Sequence, residues 1–247
     1  MSRIPLSLVT GFLGSGKTTF LKHTARRLAD RRIVYLVNEF SALDIDGHLL
    51  KEIGPNTVTL PGGSIFCKCL VSEFILNLSE IPQRFGAADK PLAGVVIEAS
   101  GIANPKVVAD MRRETRLDEV YDLTSVIAVT DPGSLRKLLV TLPNIRAQIE
   151  SADVVLLNKI DLFNEKDVSA TQDQIRRIND RARIILTTRA AADVELFGEP
   201  PARPDLHGQY SPCADPHYAR FSVALNNPVD LAKLRTALEE LAGDLYR

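Results

Sequence analysis

The chain has 247 residues, of which 45% are apolar and 25% are charged, and its formal net charge is −1. These values are ordinary for a globular protein, and the lack of a basic surplus argues against a nucleic-acid partner. No apolar run approaches the roughly 20 residues that cross a bilayer, and no export signal is evident. We therefore expect a cytoplasmic protein without a membrane partner, with one large domain or one domain plus a small appendage.

Short apolar runs alternate with longer helical patterns through most of the chain. The predicted strands are Ile4–Thr10, Ile33–Asn38, Gly94–Glu98, Ser125–Thr130, Asp153–Asn158 and Ile184–Thr188. The predicted helices are Thr18–Asp30, Val71–Arg84, Pro105–Arg116, Ser134–Leu142 and Glu165–Asn179. Runs that are apolar throughout are typical of parallel strands buried on both faces. The alternation predicts an α/β fold with a mostly parallel, doubly wound sheet that binds ligands at its carboxyl edge.

The first predicted strand leads into a glycine-rich loop, residues 11–18, which we call the phosphate loop. Its sequence, Gly-Phe-Leu-Gly-Ser-Gly-Lys-Thr, matches G-x-x-x-x-G-K-[ST], whose backbone N–H groups surround a β-phosphate. In this pattern Lys17 reaches the β- and γ-phosphates, and the Thr18 hydroxyl binds Mg²⁺. The loop predicts a P-loop NTPase. The predicted phosphate-binding residues are Gly14, Ser15, Gly16, Lys17, Thr18 and Thr19.

Carboxylates follow the ends of two further strands. Glu39 follows the second strand, with Asp46 in the loop beyond it, and Glu98 ends the strand that leads to Gly101. Carboxylates at this edge can hold Mg²⁺, directly or through water, or orient the attacking water, and Gly101 can donate its N–H to a γ-phosphate. For each of these acidic residues, the alternative is an ordinary loop carboxylate without a role in binding or catalysis. The catalytic candidates are Lys17, Glu39 and Glu98, and the Mg²⁺ candidates are Thr18, Asp46 and Glu98.

Two cysteines, Cys67 and Cys69, lie in a glycine-bearing loop before the helix at Val71. Two thiolates spaced in this way can bind one soft metal ion such as Zn²⁺ or Co²⁺. A closed tetrahedral site needs two more ligands. The candidates are Glu39, His48, Cys213 and His217. Two ordinary loop thiols are the alternative.

The sequence Asn158-Lys159-Ile-Asp161 follows another apolar strand. The Asp161 carboxylate can accept hydrogen bonds from N1–H and the exocyclic amine of guanine, whereas adenine presents the opposite pattern. The stem of Lys159 can cover the base plane. A plain strand-to-turn sequence is the alternative, but the phosphate loop upstream favours a GTP site.

The composition of the chain changes beyond residue 197, and five prolines lie between residues 200 and 216. Prolines at this density are typical of a linker or a surface loop. One strand, Tyr218–Leu225, and one helix, Pro228–Gly243, follow, and they are too little for an independent core. We therefore predict a P-loop domain (1–197), a Pro-rich linker (198–217) and a short, partial C-terminal α+β piece (218–247).

Together these motifs resemble the CobW-like GTPases, the relatives of UreG and HypB that deliver metals or service cobalamin enzymes. The resemblance rests on GFLGSGKTTFL, VNEF at 37–40, EASGIANP at 98–105 and QIESADVVLLNKIDL at 148–162. It implies that Glu39 and Asp46 belong to switch I, Glu98 to Gly101 to switch II, and Asn158, Lys159 and Asp161 to the guanine reader. The family has G-C-x-C-C where this chain has Ser-Ile-Phe-Cys-Lys-Cys, one thiol fewer.

The resemblance implies GTP hydrolysis coupled to metal delivery, or to activation of a metal- or cobalamin-dependent client, with GTP, Mg²⁺ and Zn²⁺ or Co²⁺ as ligands. The expected partner is a client metalloenzyme or cobalamin-related protein, and a homodimer is compatible with it. Two other functions stay open at this point. One is an ATP-dependent kinase of the P-loop class, and the other is a nucleotide-gated scaffold without metal.

Overall fold

The computed structural model describes residues 3–39, 56–61, 71–86, 91–210 and 228–241. The chain divides into two compact units, Met1–Cys213 and Ala214–Arg247. Within the described ranges, no helix is long and apolar enough to cross a membrane.

The first unit is built from strands and helices that alternate along the chain. Its strands are β1 (Ile4–Thr10), β2 (Ile33–Glu39), β3 (Thr57–Pro61), β4 (Gly94–Glu98), β5 (Tyr121–Thr130), β6 (Val154–Leu157) and β7 (Arg183–Leu186). Its helices are α1 (Lys17–Arg27), α2 (Val71–Phe85), α3 (Val107–Glu114), α4 (Pro132–Thr141), α5 (Pro143–Ser151) and α6 (Glu165–Ile178). Short 3₁₀ turns lie at Leu117–Glu119 and Ile160–Leu162.

The seven strands form one sheet in the order β3-β2-β4-β1-β5-β6-β7, and every neighbouring pair is parallel. Alternate residues of a strand face opposite sides of a sheet. In β1, Leu8 therefore joins one buried apolar cluster, with α2 and α3, while Val9 joins the other, with α1. Both faces of the sheet are covered, which explains why its strands are apolar throughout. The predicted α/β P-loop architecture is confirmed.

Within the described ranges, most predicted elements appear with shifted ends, and two elements were missed. Helix α5 was missed because Pro143 looks like a break, although proline is favoured in the first turn of a helix, where it lies here. Strand β3 was missed because it is a short edge strand that ends at a proline. The helix predicted over Thr18–Asp30 ends at Arg27 instead.

The described part of the Pro-rich region, residues 198–210, lies within the first unit, and we call it the Pro-rich segment. Leu206 is buried, and the Gly208 N–H donates to Asp110 of α3 at 2.8 Å. In the second unit the structure describes α7 (Leu231–Leu241). The strand predicted at Tyr218–Leu225 lies outside the described residues, and the predicted boundaries at 197 and 217 stay predictions.

Candidate functional site

The candidate site lies along the carboxyl edge of the sheet. Strand β1, which leads into the phosphate loop, is central, with β4 on one side and β5, β6 and β7 on the other. Val9 pairs with Glu98, and Thr130 pairs with Leu157, so the segments after these strands meet at one edge. The sheet order therefore brings the phosphate loop, Glu98 and the Asn158–Asp161 sequence together, as the sequence predicts.

The phosphate loop depends on glycines at specific positions. Gly11, Gly14 and Gly16 have φ angles of 136°, 72° and 112°, a region that favours glycine. A Cβ at Gly11 would lie 2.1 Å from the Val129 carbonyl oxygen. The glycines thus allow the loop to turn tightly against the neighbouring strand.

Helix α1 begins directly after this loop, and its first turn lacks acidic side chains and a side-chain N-cap. Its N-terminal N–H groups and the positive end of its dipole therefore suit an anion. The buried Lys17 ammonium donates to the Phe12 carbonyl at 3.2 Å, which holds this charge within the phosphate loop. These features together form a cradle that suits a phosphate group.

Thr18 and Glu98 meet beside this cradle. The Thr18 hydroxyl donates to Oε1 and Oε2 of Glu98 at 3.2 and 3.5 Å, and the Glu98 side chain is buried. A hydroxyl and a carboxylate are oxygen ligands of the kind that Mg²⁺ prefers, so the donor set fits this ion. Within the described ranges, the buried hydroxyls of Ser15 and Ser100 make no hydrogen bond, and both lie in segments at this edge.

The Asn158 side chain joins the phosphate loop to the loop after β7. Its Nδ2 donates to the Ser15 carbonyl at 2.8 Å, and its Oδ1 accepts from the Ala190 N–H at 2.7 Å. Asn158 is buried, and its amide fixes the distance between two loops that the sequence separates widely. The predicted contact of Asn158 with guanine stays a prediction.

The other two residues of the predicted guanine reader are more open. Lys159 is in the left-handed region, with φ 59°, and its ammonium lies 3.4 Å from the buried carboxylate of Asp131. Asp131 also caps α4 by accepting from the Ser134 N–H. Asp161 is exposed in the 3₁₀ turn Ile160–Leu162. The segment thus presents the exposed Asp161 carboxylate beside Lys159, whose ammonium is held by Asp131.

Sequence reasoning missed the loop Thr187–Ala191, which lies beside this segment. The Thr187 N–H donates to the Leu157 carbonyl at 2.9 Å, and Arg189 and Ala190 have φ angles of 54° and 53°. Two consecutive non-glycine residues in this region are uncommon and mark a tightly specified turn. The sequence gives no glycine or known pattern here that could have signalled it.

Several predicted site residues lie outside the described residues. The backbone of Glu39 ends β2 at the carboxyl edge, paired with Pro61, but its side chain is not described. Asp46, Cys67 and Cys69 are not described either. Among the residues that the structure does cover, no group of three or more His, Cys, Asp or Glu side chains could hold a metal ion. The predicted transition-metal site stays a prediction.

The chain is similar in sequence to several curated proteins. A protein named zinc chaperone CobW, from Pseudomonas aeruginosa, is 28% identical over 243 residues, covering 81% of this chain and 64% of the relative. Zinc-regulated GTPase metalloprotein activator 1 from Schizosaccharomyces pombe is 30% identical, covering 77% of this chain and 47% of the relative. The chain thus spans about half to two thirds of the length of these relatives.

The fold is also found among solved structures. The Zn(II)-bound YjiA GTPase from E. coli matches with a TM-score of 0.59 at 22% identity, covering 98% of this chain and 78% of that chain. A family model described as CobW/HypB/UreG, nucleotide-binding domain, matches residues 5–186, which include the phosphate loop, Glu98 and Asp161. The chain therefore belongs to the CobW/HypB/UreG family and contains its nucleotide-binding domain.

Proposed function

We propose that this chain binds GTP with Mg²⁺, hydrolyses it to GDP and phosphate, and uses the cycle to deliver a metal ion to a client protein. The observation that carries the nucleotide assignment is the Asn158 amide, which ties the phosphate loop to the segment that bears Asp161. This hydrogen bond supports a site in which the phosphate loop holds a triphosphate and the Asp161 carboxylate reads guanine.

In the proposed reaction, water attacks the γ-phosphorus in line, and the bond to the bridging oxygen of GDP breaks. The N–H groups of residues 14–18 bind the β-phosphate, and Lys17 offsets negative charge on the β- and γ-phosphates. Thr18 and Glu98 would hold Mg²⁺, which when bound neutralises charge that develops on the phosphate oxygens. Glu39, whose backbone ends β2 at this edge, is the proposed orienting group for the water.

The Asp161 carboxylate would select guanine by accepting from its N1–H and exocyclic amine. Adenine would leave this carboxylate without donors, and an unpaired polar group in a binding site costs affinity. The stem of Lys159, held near Asp131, would lie over the base.

The metal-delivery part rests on the named relatives and on Cys67 and Cys69. Both relatives reported above carry zinc in their names. Two thiolates supply half of a tetrahedral Zn²⁺ site, and Glu39 together with a client side chain would complete it. We therefore propose Zn²⁺ as the first metal to test, with Co²⁺ second.

The nucleotide assignment predicts a preference for GTP over ATP in competition binding, and slow GTP hydrolysis by the purified chain. Lys17→Ala should abolish hydrolysis, because it removes the cation beside the γ-phosphate. Asp161→Asn should weaken GTP binding by about 100-fold and should leave ATP binding unchanged, since a base-reading contact is lost. A preference for ATP that persists in Asp161→Asn would instead indicate the kinase-type alternative.

The metal assignment predicts that the Cys67→Ser/Cys69→Ser variant binds less Zn²⁺ than the reduced wild type. Titration followed by equilibrium dialysis measures the stoichiometry, and Cys213→Ser, at one of the further candidate ligands, shows whether that thiol contributes. Equal stoichiometry in the double variant and the wild type would leave a nucleotide-gated scaffold without metal as the better function.

A further inference from the structure

Helix α5 binds the backbone that follows Glu98. We call residues 99–103 the switch segment. Nε2 of Gln148 donates to the carbonyls of Gly101 and Ala103 at 3.1 Å each, and Nδ2 of Asn144 donates to the Ile102 carbonyl at 2.8 Å. The two amides lie four residues apart, on one face of the helix. Three consecutive carbonyls of the switch segment are thus held by one helix.

The Gln148 amide makes these two hydrogen bonds in a buried position. Gln148 is only 2% exposed, and buried amide groups in proteins are almost always hydrogen bonded. A methionine of similar length would fill the same space but could not donate to either carbonyl. The contact therefore rests on hydrogen bonding, which a substitution can remove with little change in volume.

On its other side the switch segment contacts the phosphate loop. A Cβ at Gly101 would lie 2.6 Å from the Leu13 N atom, and the Ala99 N–H donates to the Val9 carbonyl at 2.9 Å. Gly101 is therefore confined between Leu13 and the Gln148 amide. The Gln148 hydrogen bond therefore helps to position the Gly101 peptide beside the phosphate loop.

Helix α5 is itself anchored at its far end. Nδ2 of Asn179, the residue after α6, donates at 2.8 Å to the carbonyls of Ile149 and Ala152. Strand β6 follows, and Asn158, directly after its end, donates to the Ser15 carbonyl of the phosphate loop. Helix α5, which holds the switch segment, is thus fixed to the elements that lead to the predicted guanine-reading sequence.

We propose that Gln148, supported by Asn144, is a positioning residue that sets the Gly101 peptide for the γ-phosphate and so makes the site distinguish GTP from GDP. This inference rests on the proposed function, since it requires a triphosphate in the phosphate loop. Gln148 acts on the nucleotide only through the Gly101 peptide, so its effect on affinity requires a bound γ-phosphate. GDP lacks that group, so its affinity should not depend on Gln148.

The test compares Gln148→Met with the wild type in three measurements: GDP affinity, affinity for a non-hydrolysable GTP analogue, and the kcat of GTP hydrolysis. We expect GDP affinity to stay within about twofold. Analogue affinity and kcat should each fall about tenfold, the loss that about 1.4 kcal/mol produces. Ser151→Ala is the matched control, because Ser151 is buried on the same helix but donates to the Ala147 carbonyl instead.

Equal losses of GDP and analogue affinity in Gln148→Met would overturn the inference and indicate a purely structural role. Unchanged affinities and kcat would overturn it too. Should Gln148→Met fail to fold, Asn144→Ala removes the neighbouring hydrogen bond to the Ile102 carbonyl at a half-buried position, and the same selective effect is expected. A wild type that binds no guanine nucleotide would instead refute the proposed function, so the two failures are distinct.

Discussion

Gly16 shows how one residue can couple two motifs. Its φ of 112° is strained for any side chain, and a Cβ there would lie 2.4 Å from Nδ2 of Asn158. That same nitrogen donates to the Ser15 carbonyl. The glycine therefore serves the phosphate loop twice, through its backbone conformation and through the space it leaves for the Asn158 amide.

Gly16→Ala should lower both stability and nucleotide affinity, because the added methyl group displaces the Asn158 amide in an already unfavourable backbone conformation. We expect a loss of about 2 kcal/mol or more in the free energy of unfolding, within the range for strain at such positions. Chemical denaturation and GDP titration measure the two effects.

Gly198→Ala is the matched control, since Gly198 is exposed and a Cβ there would meet only the Glu195 side chain, at 3.2 Å. If both variants behaved like the wild type, the coupling of the phosphate loop to Asn158 would be unimportant.

At the scale of elements, the Pro-rich segment is tied to the amino edge of the sheet by an ion pair. Nη2 of Arg203 lies 3.2 Å from the Asp153 carboxylate and donates to the Leu123 carbonyl at 3.1 Å. Asp153, just before β6, accepts from the Val126 N–H. Burial raises the pKa of Asp153, partly offset by Arg203, and burial likewise lowers the pKa of Arg203.

Arg203→Met should destabilise the protein more at pH 8 than at pH 5. Without the guanidinium, the folded-state pKa of Asp153 rises further above its unfolded value, near 4. A carboxyl group with a raised folded pKa loses stability as pH increases through that pKa. We expect a loss of about 3 kcal/mol at neutral pH, as for other broken buried pairs.

Urea unfolding at the two pH values measures this difference. Asp153→Asn in the same background should restore much of the loss at pH 8. Arg146→Met, which breaks an exposed pair with Glu150, should have little effect at either pH. A loss in Arg203→Met that is the same at pH 5 and pH 8 would contradict the assignment.

At the scale of the whole molecule, the Pro-rich segment belongs by its contacts to the first unit, although the sequence predicts a domain boundary at residue 197. The segment supplies the buried Leu206, the Arg203 pair, and the Tyr210 hydroxyl, which donates to Glu114 at 2.8 Å. The contacts of Arg203 lie at the amino edge, opposite the phosphate loop. The Arg203 contacts should therefore support stability without shaping the nucleotide site.

A chain that ends at residue 197 should therefore unfold at a lower temperature than one that ends at residue 213. Each kcal/mol lost should lower Tm by about 2–4 °C in a domain of this size. GDP affinity at a temperature where both chains are folded should be the same. Differential scanning calorimetry and GDP titration measure the two quantities, and equal Tm values would support the boundary at residue 197.

The sequence predicted most of the fold and the phosphate end of the site, because those signals are local. A strand, a glycine loop and a helix occupy consecutive residues from Ile4 to Arg27, and each apolar run indicates a buried strand by itself. The missed elements, α5 and β3, have weak local signals: one starts at a proline, and the other is a short edge strand.

The sequence by itself thus determined the chemistry of the individual groups: a phosphate loop with Lys17 and Thr18, a carboxylate at Glu98, and a guanine-type sequence ending at Asp161. Only the tertiary structure decided how these groups are held. The Asn158–Ser15 hydrogen bond spans 143 residues, and the Gln148–Gly101 hydrogen bond spans 47. Such contacts depend on which strands are neighbours in the sheet, and strand order follows from the packing of the whole core rather than from any local pattern.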